Sequence, residues 1–421
     1  MSEGETRVLA AEKRRWLEQE PLSRLLDVLD SGGEEARVVG GAVRNELLGL
    51  PRGEIIDLAT TAVPDEVIRR AKSAGFNPVP TGIEHGTITV VIGGKPFEVT
   101  TLREDVETFG RHAKVRFGRD WKKDAERRDF TINALFLARD GSVIDFVGGL
   151  KDIEARRVRF IGDPGARIRE DYLRILRFFR FHAAYGEGAP DAAGLLACIR
   201  ARGELGMLSR ERMRAELLKL FVAKHAVAAL AIMGETGLLL GVLGGVPLLA
   251  SFANMMKAEQ ALGLEPDAIR RLGALAVFVA EDGTRLRERL RLANAESRRL
   301  ESMGDCWWQI SPDRGEQAAR ALLYKIGTEN FRDRALLAFA RSPAKANDKV
   351  WHELIALPAR WTPPKFPLAA KDFLDRGVAK GPALGKSLTR AEEAWIEAGF
   401  PAERLKLDSI ADGAAKDVGK S

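Results

Sequence analysis

Gly40-Gly41-Ala42-Val43-Arg44 lies between a short apolar run, Val38-Val39, and a segment over 42–48 of helical character. A strand that passes through paired glycines into a helix can cradle a phosphate. The missing side chains let the backbone approach an anion, the first N–H groups of the helix point at it, and the helix dipole adds attraction. Arg44, one turn into the helix, is placed to reach a triphosphate. Paired glycines alone read equally well as a tight turn, so the weight falls on the residues that follow. Asp57 sits on the next apolar run, 55–59, and Glu98 sits within Phe97-Glu98-Val99-Thr100. Strand alternation turns Phe97 and Val99 to a core and Glu98 to a cleft. Carboxylates so placed suit the two divalent ions of nucleotidyl transfer, one activating the attacking 3′-hydroxyl and one holding the triphosphate and leaving pyrophosphate. The partner expected for Asp57 two residues upstream is Ile55, and the nearest acid is Glu54, three residues away. A β-bulge there would return Glu54 to the Asp57 face and complete a metal-binding, catalytic set of Glu54, Asp57 and Glu98. Without it, the metal site is weakened or catalysis is lost.

A second constellation could read a base. Glu170-Asp171-x-x-Arg174-x-x-Arg177-x-x-Arg180 places Asp171 and Arg174 three apart on an expected helix, as neighbours. Cytosine and adenine each present an amino donor beside a ring-nitrogen acceptor. Asp171 can accept from the amino group while Arg174 donates to the ring nitrogen. Guanine and uracil carry a carbonyl and a ring N–H at the matching places and meet the wrong partners. The competing reading is a plain salt bridge between the two residues. Arg177 and Arg180 drift around the helix axis, so each can line the pocket or hold the helix to the rest of the protein. Arg128, just before Asp129, can contact phosphates or order the cleft.

The elements that must carry these residues divide unequally. Residues 8–30 predict an amphipathic helix with Leu9, Trp16, Leu22, Leu25, Leu26 and Leu29 on its apolar face. Pro64 followed by Asp65 and Glu66 opens another helix. Alternating runs over 87–92 and 96–101 around Gly93-Gly94, and over 136–138 and 143–145 around Asp140-Gly141, predict hairpins. The polar stretch 102–120 reads as a mobile loop. From residue 150 onward the pattern turns helical, including a segment over 207–243 with Met207, Leu208, Met213, Leu217, Leu218, Leu220 and Phe221. A proline-rich stretch, 358–367, marks a linker or domain edge. The fold class predicted is α+β: an α+β head, then an all-helical remainder. No internal repeat is visible.

The 421 residues exceed one ordinary domain, and 45% hydrophobic with 30% charged residues indicates a soluble globular protein. No apolar run is long enough for a membrane span, and the acidic start, Met1-Ser2-Glu3-Gly4-Glu5, does not resemble a secretory signal. Cys198 and Cys306 lie far apart and predict neither a disulfide framework nor a zinc site, but buried thiols in a reducing cytoplasm. The net charge of +6 is concentrated between Lys151 and Arg180, where arginines outnumber acids. Such a field favours a polyanionic partner, although a solvated helix face gives the same pattern.

Taken in this order, Gly-Gly-Ala-Val-Arg, Arg127-Arg128-Asp129-Phe130-Thr131-Ile132-Asn133-Ala134-Leu135 and Glu-Asp-x-x-Arg-x-x-Arg resemble the bacterial (class II) tRNA CCA-adding nucleotidyltransferase and poly(A) polymerase family of the DNA polymerase β-like superfamily. The resemblance runs over about 36–240 and returns weakly at Lys380-Gly381-Pro382-Ala383-Leu384-Gly385. It implies a head over 1–148 built on a small mixed sheet, a helical neck with the nucleotide-selecting helix over 149–205, a body over 206–357 and a tail over 358–421. It also implies that Gly40, Gly41, Arg44, Arg128, Asp171, Arg174, Arg177 and Arg180 bind the incoming nucleotide, and that Asp57, Glu98 and Glu54 carry Mg²⁺ and catalysis. Residues 102–120 become the loop that switches the pocket from C to A. The implied substrates are CTP and ATP, and the implied partner is tRNA, held at its acceptor arm and elbow in the cytoplasm. A poly(A) polymerase of the same family and a tRNA-binding homologue with impaired catalysis remain alternatives. Three departures from the family pattern stand out. One is the Glu54–Asp57 spacing. Asn45 stands where aspartate usually follows the motif arginine, and Phe109-Gly110-Arg111 stands for Asp-Gly-Arg. No His-Asp pair occurs among the five histidines, which argues against an appended metal phosphohydrolase domain.

Overall fold

The computed structural model describes residues 4–53, 55–109 and 112–418. The chain forms two compact units, Met1–Gly244 and Gly245–Ser421. The first holds every described strand: β1 (Glu5–Val8), β2 (Ala36–Val39), β3 (Ile56–Thr60), β4 (Asn77–Gly82), β5 (Thr87–Ile92), β6 (Lys95–Thr101), β7 (Arg103–Phe109), β8 (His112–Phe117), β9 (Leu135–Leu137) and β10 (Ser142–Asp145). Eight of them form one mixed sheet in the order β1-β10-β9-β2-β3-β6-β5-β4, while β7 and β8 pair with each other as a separate ribbon. All neighbours in the large sheet run antiparallel except β3 and β6, which run parallel with Asp57 beside Glu98.

The core explains the alternation. Val38, Leu58, Val99, Ile88, Val90, Leu135 and Phe136 are all fully buried. The helices Leu22–Leu29 and Pro64–Ser73 bury Leu25, Leu26, Leu29, Val67 and Ala71. Each such side chain contributes roughly 1.5–3 kcal/mol when removed from water. Both expected hairpins form, and the α+β class holds.

Several expected elements differ. The helix expected over 8–30 is broken into Ala11–Arg14, a 3₁₀ turn Arg15–Leu17 and Leu22–Leu29, with β1 ahead of them. Pro21 accounts for the last break, since it lacks an N–H and its ring would clash with the preceding turn. The apolar residues assigned to that face are nonetheless all buried. Asn77–Gly82, with Pro78 and Pro80, gives no strand signal, yet it forms the sheet edge, where prolines are tolerated. The polar loop expected over 102–120 is largely the β7–β8 ribbon, and Gly110 and Arg111 lie outside the described residues. Ala113, Val115 and Phe117 alternate with His112, Lys114 and Arg116 along β8, a strand signal obscured by the charged residues of the stretch. The segment over 207–243 divides into Arg210–Phe221, Ala226–Glu235 and Leu238–Leu243, and Met207 is 72% exposed. Both cysteines are free; Cys198 is buried, but Cys306 is only partly so.

Among the described residues of the second unit the regular elements are all helices. Asp333, 1% exposed, accepts from Arg270 Nε at 2.9 Å and is paired with Arg299 as well. Glu259, equally buried, accepts from Arg270 and Arg271. A separate cluster of Phe373, Trp395, Ile396 and Leu407 gathers the last helices.

In the first unit one glycine fixes the Arg127–Leu135 motif. A side chain at Gly149, the first residue of the Gly149–Glu154 helix, would collide with the backbone carbonyl of Thr131. Gly149→Ala is expected to destabilise the first unit by about 1–3 kcal/mol, the usual cost of overpacking. Denaturant unfolding followed by tryptophan fluorescence checks this; an unchanged midpoint would contradict the packing described.

Candidate active site

The cradle forms where β2 delivers its chain to the Gly41–Leu48 helix. Gly40 has φ 73° and ψ −124°, a conformation that favours glycine. A side chain there would stand 3.8 Å from Asp57 Oδ2, and one at Gly41 would stand 3.6 Å from Arg44 Nη2. The two glycines thus keep open the space between a carboxylate and a guanidinium. No side chain caps the N-terminus of this helix. Arg44 is 6% exposed. Its Nη1 donates to Asn133 Oδ1 at 2.5 Å, and its Nη2 donates to Tyr185 Oη at 2.8 Å and Asn45 Oδ1 at 2.9 Å. Its guanidinium also lies 3.9 Å from the centroid of the Tyr185 ring. Burial pulls the Arg44 pKa down to about 10, so the group stays charged at neutral pH.

The parallel β3–β6 register supplies the acidic half. Asp57 pairs with Glu98, flanked by Phe97 and Val99, both buried as expected. Asp57 is solvent-accessible at the cleft, but the protein around it withdraws enough water to raise its pKa. Burial first, then repulsion from Glu98, push it to about 6, against the opposing pull of Arg128 and Arg44. Glu54, the third expected acid, lies outside the described residues. The register is unbroken from Ile56 to Thr60, and Ile55 ahead of it is 48% exposed. Among the described residues no group of three possible metal ligands occurs. Two adjacent carboxylates that repel one another, facing a space kept open by Gly40, fit one divalent cation.

The residues expected to read the base are placed differently from the helix predicted for them. Asp171 is not helical: it lies at φ −158° and ψ 107°, between the helices Pro164–Glu170 and Leu173–Tyr185. Aspartate favours such a break because its side chain can accept a free helix N–H, here that of Leu173 at 3.1 Å. Asp171 and Arg174 do not form the salt bridge that was the competing reading. Asp171 accepts from both Arg212 terminal nitrogens, at 3.1 and 2.6 Å, while Arg174 pairs with Glu170 and donates to the Arg167 carbonyl at 2.8 Å. Arg177 donates to Asp129 Oδ2 at 2.7 and 2.5 Å, and Arg180 Nε donates to Glu216 at 2.5 Å. Burial raises the Asp129 pKa, but Arg177, Asn133 and the Phe130 N–H outweigh it and hold it below the usual carboxylate range. Arg128 pairs with Asp124 at 2.9 Å. Much of the basic cluster is therefore committed to internal partners, Arg157 and Arg159 to Asp152 among them.

Sequence reasoning missed Arg212, Glu216, Asn133, Tyr185 and Asp124. Arg212 and Glu216 are four apart on the Arg210–Phe221 helix, a visible spacing, but their partners come from distant sequence. Nothing local marks them.

Residues 36–159 match the family model of the poly A polymerase head domain, and residues 195–252 match that of a probable RNA- and SrmB-binding site of polymerase A. The chain is 34% identical to human mitochondrial CCA tRNA nucleotidyltransferase 1, over 92% of this chain and 89% of that protein. It belongs to the CCA-adding tRNA nucleotidyltransferase family. The CCA-adding enzyme of Limosilactobacillus fermentum is 32% identical, over 90% of this chain and 93% of that protein. The crystal structure of the Bacillus stearothermophilus CCA-adding enzyme in complex with CTP covers 96% of this chain, with a TM-score of 0.77 and 27% identity. The chain is thus a nucleotidyltransferase by family. Among the described residues no helix is long and apolar enough to cross a membrane.

The two carboxylates give a direct test. Between the ordinary carboxylate range and pH about 6, folded Asp57 keeps a proton that the unfolded chain releases, so its contribution to stability falls as pH rises through that window. Glu98→Gln is expected to lower the Asp57 titration midpoint, yet leave it above the ordinary range, because burial is the larger cause. Carbon-detected NMR of the apo protein reads the midpoint. An unchanged value would separate the two carboxylates.

Proposed function

We propose that this chain adds or repairs the 3′-terminal CCA of tRNA, using CTP and ATP and releasing pyrophosphate. The observation that carries the reading is the cradle itself: Gly40 and Gly41 separate the Asp57–Glu98 pair from the buried Arg44 guanidinium. That arrangement would set a triphosphate between a cationic wall and an acidic one, as transfer of its α-phosphorus requires. Gly40, Gly41 and Arg44 would hold the phosphates, with Arg128 beside them. Asp171 and Arg174 would read the base: Asp171 Oδ2 keeps a lone pair after its Arg212 contact, and Arg174 keeps donors beyond Glu170. Arg177 and Arg180 would act through Asp129 and Glu216, fixing the Leu173–Tyr185 helix on which the reading depends.

In the reaction, the tRNA 3′-oxygen bonds to the α-phosphorus in line with the departing pyrophosphate. The bridging α–β P–O bond breaks, and the hydroxyl proton is lost. Mg²⁺ held by Asp57 and Glu98, with Glu54 as the further ligand, would supply charge neutralisation and an activated hydroxyl. The protein's own part is to orient the triphosphate along the cradle and keep its reacting phosphorus beside the carboxylates. The four-part division into head (1–148), neck (149–205), body (206–357) and tail (358–421) belongs to this reading, with the last two holding the tRNA acceptor arm and elbow. Phosphate contacts of this kind weaken steeply with salt. A cytoplasmic location also belongs to it, although relatives include mitochondrial proteins.

Purified protein with tRNA lacking CCA should extend the 3′ end by CCA when CTP and ATP are both present, and by C residues alone with CTP. Tailing by ATP that ignores CTP would instead identify a poly(A) polymerase. Binding of tRNA without extension would identify an impaired enzyme, the outcome that Ile55 beside the carboxylate strand makes worth testing. Arg174→Ala should lower discrimination of CTP against UTP by about 1–3 kcal/mol, the value of a good paired base contact. Competition between the two nucleotides measures it; undiminished discrimination would remove Arg174 from base reading.

A further inference from the structure

The loop between the cradle helix and the carboxylate strand is fastened by one amide. Asn45 Oδ1 accepts from Arg44 Nε at 3.1 Å and Nη2 at 2.9 Å, while Asn45 Nδ2 donates to the Pro51 carbonyl at 2.6 Å. These partners determine which way the amide faces. Turned over, it would set N–H against guanidinium N–H and oxygen against carbonyl oxygen. A carboxylate here could accept from Arg44 but could not donate to Pro51. The loop also contains Gly49 at φ 70° and Gly53 at φ 92°, conformations that give it little stiffness of its own. Its other described anchors are Arg52, which pairs with Glu46 at 2.5 Å and lies over the Trp16 ring, and the backbone N–H groups of Gly49 and Leu50, which donate to the Glu46 and Asn45 carbonyls at 3.2 and 2.8 Å. Where Pro51 is held therefore bears on where the chain enters β3 and presents Asp57.

The same amide has an electrostatic consequence. Arg44 is buried, and its hydrogen-bond acceptors, Asn45, Asn133 and Tyr185, are all neutral. Among the described residues it makes no ion pair. An aspartate at position 45 would lie against the guanidinium and offset its charge. Asparagine holds the guanidinium in place without neutralising it, and Nη2 stays 3.6 Å from where a Gly41 side chain would begin.

We propose that Asn45 is a positioning residue for the triphosphate: it ties the Pro51 loop to Arg44 and, being neutral, leaves the Arg44 charge available to the phosphates. This rests on the reading that the cradle holds a nucleoside triphosphate. The tie continues beyond the cradle. Arg44 donates to Asn133, Asn133 Nδ2 donates to Asp129 at 3.1 Å, and Asp129 is gripped by Arg177. One chain of polar contacts thus runs from the loop before the catalytic strand to the helix behind the base-reading turn.

Asn45→Asp and Asn45→Ala separate the two parts of the proposal. Both remove the Pro51 bond, so both should speed hydrogen exchange of the Leu50, Arg52 and Gly53 amides. Only Asn45→Asp also offsets the Arg44 charge. It should weaken equilibrium CTP binding, and raise the CTP KM, by roughly tenfold, whereas Asn45→Ala should do so by roughly threefold. In both variants kcat should change less than KM. Wild-type affinity in Asn45→Asp, or losses of equal size in the two variants, would overturn the proposal. Wild-type protein that binds CTP but transfers no nucleotide would instead sink the transfer reading, while the binding and exchange comparisons still decide the role of Asn45.

Discussion

The parallel pairing of β3 with β6 is the constraint on which the site depends. Every other neighbour in the large sheet is antiparallel. This pairing alone brings Asp57 and Glu98, 41 positions apart in the numbering, into register. Two carboxylates side by side on adjacent strands are an unfavourable arrangement without a cation, and the Asp57 pKa, raised first by burial and then by Glu98, expresses part of that cost. The surrounding architecture lowers it with positive groups held at a distance. Arg44 and Arg128 both favour the Asp57 charge, yet their hydrogen bonds go to Asn45, Asn133, Tyr185 and Asp124. Among the described residues neither carboxylate is closed into a salt bridge, and both are left open toward the cleft.

A second set of charge contacts secures what lies behind the cleft. Asp129 joins Asn133, which holds Arg44, to Arg177 on the Leu173–Tyr185 helix. Glu216 grips Arg180 from that same helix, and Arg212, one turn earlier on the Glu216 helix, grips Asp171. Removing one member of such a partly buried network leaves its partner unpaired, which costs far more than a surface pair contributes. The residues proposed to read the base and those proposed to hold the phosphate are therefore coupled through protein groups before any nucleotide arrives.

Much of this was legible in the sequence where the signal is local. Gly-Gly before a helix, alternation around Glu98, and the apolar faces of Leu22–Leu29 follow from short-range spacing, and the structure contains all three. The failures have physical causes as well. Asp171 was read as helical because a helical spacing surrounds it, but its own side chain caps the next helix and breaks the first. β8 does alternate, with Ala113, Val115 and Phe117 set between His112, Lys114 and Arg116, but the charged residues of the whole stretch outweigh that short signal and it reads as a loop. Arg212, Glu216 and Asn133 matter through partners 36 to 89 residues away, which no local pattern encodes.

The central claim is that Asp57 and Glu98 together form a divalent-cation site facing the glycine cradle. Titration of isotopically labelled protein with Mn²⁺, followed by paramagnetic broadening of backbone amides, tests it most directly. The account predicts saturable broadening centred on residues 56–58, 97–99 and the cradle at 40–42, abolished by Asp57→Asn. Broadening centred elsewhere, or undiminished in that variant, would contradict it.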